Sequence, residues 1–278
     1  MDTSTQNRKR KSKTAPKLLP KNRGGRCFFE IAGMMLWTFS SVILSQLVVG
    51  YIMLFILGPK TFSQPAITAL YSALSYSLAM ILVLTVPAKI AHRHQSMHNK
   101  QAIAQERKLV DYRELGLHKW PTWTDIGLAP VGYIVYLVLA AGLTAIFSLF
   151  PWFDAGEVQE VGFSYYLTGG DRLVAFLTLV VVAPIAEEII FRGWLYGRTR
   201  EKLLKKYSNK ISVVISIILV SLLFGIVHMQ WNVGISVFAL SLVLCALREI
   251  TGTIHAGILL HMLKNGIAFY LLFVIGMG

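Results

Sequence analysis

The sequence predicts an all-α, polytopic transmembrane helical bundle of about seven spans, and three observations predict it. Hydrophobic residues make up 55% of the 278 residues and charged residues only 15%, against about 25% charged in soluble globular chains. Mean hydropathy is +0.58. The apolar residues also lie in uninterrupted runs much longer than barrel strands, and in hydrocarbon a run of that length pairs its own backbone groups only as helix.

The first expected span, 31–58, follows a basic tail at 1–26 that carries nine Lys and Arg. This tail is a poor cleaved signal: its basic region is long, and the apolar run behind it exceeds a signal h-region. The second span, 66–86, is followed by a polar stretch from 89 to 125 with seven basic residues. The third span is 126–150, preceded by Trp120 and Trp123, which read as interfacial residues. The fourth, 173–196, opens on a charge-free run, 173–186, and then meets two glutamates. The fifth, 211–228, and sixth, 232–247, are short and closely coupled, which leaves counts of six or eight open. The seventh is 254–276.

Charge orients these helices. The segment 192–210 adds seven Lys and Arg, whereas 151–171 has Asp154, Glu157, Glu160 and Asp171 and no basic residue. Basic loops are retained on the cytoplasmic side, so the alternation places the N-terminus inside and the C-terminus outside. The chain divides into the tail 1–26, the N-terminal helices and polar loop 27–110, and a region 111–278 that concentrates the polar residues within spans. No internal repeat is evident.

A net charge of +13 reflects topological anchoring. The tail residues 8–13, RKRKSK, are expected to meet anionic lipid rather than nucleic acid. His92, His94 and His98 have spacing that could hold a metal, but no acidic or thiolate companion appears until Glu106, and a solvated surface is the expected reading. Cys27 and Cys245 have no evident pairing, so neither a disulfide framework nor a thiolate zinc site is expected.

Ionisable groups within spans are costly and usually face an interior, a wet cavity or a partner. The first cluster is EEIIFR, residues 187–192. Glu188 and Arg192 are four apart and share a face, while Glu187 projects about 100° away. The second is FGIVH, 224–228, with Phe224 and His228 one turn apart. The third is HMLKN, 261–265, with His261 and Asn265 one turn apart. A carboxylate, two imidazoles and an amide on three helices supply the parts of a hydrolytic centre: a base for water, a group to orient it, and donors for an oxyanion.

The set resembles the CAAX prenyl protease and bacteriocin-processing (CPBP, Abi) family of intramembrane endopeptidases, over about 111–278. The resemblance implies that Glu187 activates water, His228 holds or deprotonates it, and His261 with Asn265 stabilises the oxyanion. Glu188, Arg192 and Phe224 become supports. It further implies a peptide or membrane-protein substrate, prenylated in the CAAX-type branch, and an integral protein expected in a prokaryotic plasma membrane. No cofactor is firmly expected. HExxH is absent, yet Glu187, His228 and His261 could make a three-ligand site with an open water position for zinc or another divalent metal. A non-catalytic immunity or interaction protein, or a transporter, remains the competing reading.

Three local questions follow. His255 competes with His261, but it lacks a partner one turn on and is assigned to a boundary hydrogen bond. Lys264 is left to snorkel, to pair with Glu188 or to line a cavity. An upright bundle also places His228 at the outer end of its helix, too far from Glu187 and His261.

Overall fold

The computed structural model describes residues 23–59, 64–98, 111–156, 162–163, 167 and 169–276, with side chains described for these except 23, 24, 26 and 91–98. The tail 1–22, with its expected lipid contact, lies outside the described residues, as do the side chains of His92, His94 and His98.

Seven helices among the described residues are long and apolar enough to cross a bilayer, and the molecule is an all-α polytopic bundle. They are α1 (Arg23–Leu57), α2 (Pro65–His98), α3 (Trp123–Phe147), α4 (Gly169–Leu204), α5 (Asn209–Ile226), α6 (Trp231–Thr251) and α7 (His255–Ile275). Hydropathy marks where a span ends, not where a helix ends. Thus α2 continues to His98 although its apolar run stops at Ile90. Likewise α4 extends to Leu204, roughly 50 Å of helix at 1.5 Å per residue, against a hydrocarbon core of about 30 Å.

Side-chain partners outside the apolar runs support these extensions. Beyond the expected end of α6, Arg248 donates to Glu114 O at 3.1 Å, and Glu249 accepts from Arg200 at 2.6 and 2.7 Å and from Tyr196 at 2.9 Å. Arg198 meets Glu114 and Lys202 meets Glu30, both at 2.5 Å. His255 Nε2 meets Lys119 O at 2.7 Å, a boundary hydrogen bond. These contacts join α1, α4, α6, the start of α7 and the segment before α3 at one end of the bundle. At the same end, Thr122 caps α3 reciprocally with Asp125, a pairing that satisfies two free helix-end N–H groups.

Packing places α5 against α6, and α3 against α6 and α7. The α5–α6 approach depends on two glycines: a Cβ on Gly225 would lie 2.8 Å from Gly234 O, and one on Gly234 3.1 Å from Gly225 O. One core cluster joins α2, α4, α5 and α6 through Ala79, Val83, Ile190, Leu195, Val220 and Val237. A second joins α3, α6 and α7.

Helix α4 is not uniform. Leu177–Val182 and Glu188–Tyr196 are π-helical, and such widened turns recur at functional sites. Between them lies a short α segment, Ala183–Glu187. The widened first segment leaves the Leu179 carbonyl to accept from the Asn265 amide of α7 at 2.9 Å.

Candidate active site

Helix α4 carries both glutamates into the interior at the junction of its α and second π segments. Glu188 is wholly buried, as is Arg192, and Arg192 Nη1 donates to Glu188 Oε1 at 2.9 Å. The Arg192 guanidinium also lies over the Phe224 ring of α5, 4.2 Å from its centroid, a favourable contact for a desolvated cation. Isolated charges would not be tolerated at this depth, and the pair with its ring neighbour supplies the neutralisation that burial demands.

Glu188 has a second partner. His261 of α7 places Nδ1 3.1 Å from Glu188 Oε1, and its Nε2 faces Glu187 Oε2 at 3.7 Å. Room for Glu188 comes from Gly257, one turn before His261, where a Cβ would stand 3.0 Å from Glu188 Oε2. Glu187 in turn accepts from the Tyr76 hydroxyl of α2 at 2.6 Å through Oε1. Its Oε2 thereby remains directed at the His261 side of the site.

His228 sits in the turn between α5 and α6. Its Nδ1 is 2.8 Å from Phe224 O, and when Nδ1–H donates there the lone pair is left on Nε2. Burial pushes its pKa below the ordinary histidine value, opposed by the nearby negative charge of Glu187, so the neutral ring is the form present near pH 7. The Phe224 ring stands between the two histidines, 5.0 Å from His228 and 6.0 Å from His261 by centroids. The expected mismatch in depth is therefore absent: α5 ends at Ile226 within reach of the α4 and α7 residues. Met229, the next residue, is the one described non-glycine with positive φ, 58°, where the chain reverses into α6.

The structure thus joins Glu187, Glu188, Arg192 and His261 by direct polar contact, with Phe224 and His228 packed alongside. Asn265 is one turn beyond His261 but spends one amide N–H on Leu179 O. Lys264 lines a cavity and makes no pair with Glu188. Tyr76 and Gly257 were not singled out in the sequence. A signal for Tyr76 existed, because it is a tyrosine in mid-span, away from the interfacial belts where tyrosine is common. Gly257 had none, since its value depends on which helix packs against it.

Glu187 Oε1 is taken by Tyr76, both polar contacts of His261 are to carboxylates, and His228 is turned to a backbone carbonyl through Nδ1. Among the described residues no group of three or more His, Cys, Asp and Glu side chains is placed to hold a metal ion.

Residues 169–267 match the family described as Type II CAAX prenyl endopeptidase Rce1-like. No curated protein and no solved structure matches the chain. The matched region runs from the start of α4 into α7 and includes all three polar motifs, while Tyr76 lies outside it. The match supports an intramembrane protease acting on a peptide or membrane-protein substrate.

Proposed function

We propose that this integral membrane protein is an endopeptidase that hydrolyses peptide bonds with water activated by Glu187, starting from the Rce1-like character of residues 169–267. The observation that carries the mechanism is the division of labour between the adjacent glutamates. Glu188 is wholly buried with its Oε1 held by Arg192 and His261, whereas Glu187 is partly exposed and, with Oε1 on Tyr76, presents Oε2 toward His261 Nε2.

A water about 2.8 Å from both Glu187 Oε2 and His261 Nε2 is geometrically compatible with their 3.7 Å separation. In the proposed reaction Glu187 takes one proton from this water as its oxygen bonds to the scissile carbonyl carbon. The neutral His228 accepts the water's other hydrogen bond through Nε2 and orients it. The resulting oxyanion is stabilised by His261 and by the second amide N–H of Asn265. Collapse breaks the C–N bond, and protonated Glu187 returns its proton to the leaving amine. Tyr76 holds Glu187 in the orientation that this exchange needs.

CAAX-type removal of a C-terminal segment after a prenylated cysteine and maturation of other membrane-borne peptides use the same chemistry. The test is to reconstitute the purified protein in liposomes with prenylated and unprenylated peptide panels, and to identify products by mass. One new carboxylate and one new amine per cleavage event is the expected result. Absence of cleavage across both panels, in protein that retains its thermal transition, would favour the non-catalytic interaction reading.

A further inference from the structure

A cavity of about 260 Å³ is lined by Thr144 of α3, Phe153 and Ala155 of the following segment, Asn232, Val233, Ser236 and Val237 of α6, and Lys264 of α7. Lys264 is the cation of that lining, and the other residues bring hydroxyl, amide and apolar surface but no carboxylate. Among the described residues, Lys264 has no ion pair or hydrogen bond. A cation carried on a transmembrane helix is costly; the negative charge acting on Lys264 is that of Glu187, outside the cavity lining, so on its cavity side the ammonium meets no carboxylate and suits an anionic visitor.

The cavity is also next to the candidate active site. Lys264 lies three residues beyond His261, about 4.5 Å farther along α7. Asn232 follows His228 by one turn of chain, and Val233 and Val237 belong to the same core cluster as Phe224 and Ile190. Ser236 shares its hydroxyl with Tyr136 at 2.9 Å, a fixed polar group in the lining. An extended peptide advances about 3.3–3.6 Å per residue, so a group bound at Lys264 belongs to a position within about three residues of the scissile bond.

We propose that this cavity is a carboxylate subsite in which Lys264 recognises a negative charge of the peptide substrate close to the cleaved bond. This inference rests on the peptidase reading. Two sources offer the same chemistry: the substrate's terminal carboxylate and an Asp or Glu side chain.

The test uses the full-length protein in liposomes with three peptides of one sequence. One ends in a free carboxylate, one in a carboxamide, and one in a carboxamide with glutamate as the final residue. Cleavage of the carboxamide peptide tests the peptidase reading alone, and its absence together with that of the others overturns both. The subsite predicts a KM at least about tenfold lower for one of the two charged peptides, and which one identifies the source. Lys264→Met should raise KM for that peptide to the carboxamide value with kcat retained, and Lys264→Arg should restore part of the preference. Equal KM for all three peptides on the parent, or a preference that survives Lys264→Met, overturns the subsite while leaving the peptidase reading standing.

Discussion

The hydroxyl of Tyr76 occupies Oε1 of Glu187 at 2.6 Å, so Oε2 is the oxygen left for water. A hydrogen bond to a charged group contributes about 1.5–3 kcal/mol, equivalent to roughly 10–100-fold in rate when it acts on the reacting geometry. Tyr76→Phe should therefore lower kcat at least about tenfold with KM and thermal transition near the parent's. A kcat within twofold of the parent would contradict the positioning role. Arg192 poses the opposite case, because its removal takes the guanidinium partner from a fully buried carboxyl group. Breaking such a pair from one side costs about 3–5 kcal/mol, so Arg192→Ala should lower both folded yield and the thermal transition in detergent. An unchanged transition would count against the pair's structural role.

Helices explain which parts of the site were legible from sequence and which were not. The i,i+4 relation of Glu188 with Arg192 follows from helical spacing within one element, and the pair stands as that spacing implied. So does the isolation of Glu187 from Arg192. Contacts between elements were not legible. Tyr76 reaches Glu187 across 111 residues, and the amide of Asn265 reaches Leu179 because α4 widens into π turns there, a register change that hydrophobic periodicity does not record. The His228 depth problem arose from treating α5 as upright and ending at residue 228. The helix ends at Ile226, and the close Gly225–Gly234 approach brings α6 directly onto it. A metal shared by Glu187, His228 and His261 would link α4, the α5–α6 turn and α7, and its removal would loosen the bundle. Because the proposed mechanism uses those residues without a metal, exhaustive chelation should leave both turnover and thermal transition unchanged at a metal content far below one per chain. Loss of both on chelation, with recovery on zinc return, would contradict this arrangement.

Across the whole molecule, seven spans and the alternation of charge define a bundle with one strongly basic end. The contacts of Arg198 with Glu114, Lys202 with Glu30 and His255 with Lys119 gather there, and the sequence placed that end in the cytoplasm because Lys and Arg are retained on that side. Single cysteines at Lys206 and Leu149, both exposed and on opposite sides of α4 in chain order, test the orientation in a chain whose Cys27 and Cys245 are replaced. An impermeant thiol reagent should label Lys206→Cys from the cytoplasmic face and Leu149→Cys from the other face. Labelling of both from one face would overturn the seven-span orientation.

The proposed mechanism depends most on one assignment, that Glu187 and not its neighbour Glu188 activates water. The most direct measurement is the turnover of Glu187→Gln in liposomes, compared with the parent at equal folded amounts on the same cleaved peptide. The substitution retains the side chain's size and an oxygen for Tyr76 while removing the base, and general base catalysis contributes about 10²–10⁴-fold. The account predicts at least about a hundredfold loss of kcat with an unchanged thermal transition. Turnover within a fewfold of the parent would contradict it.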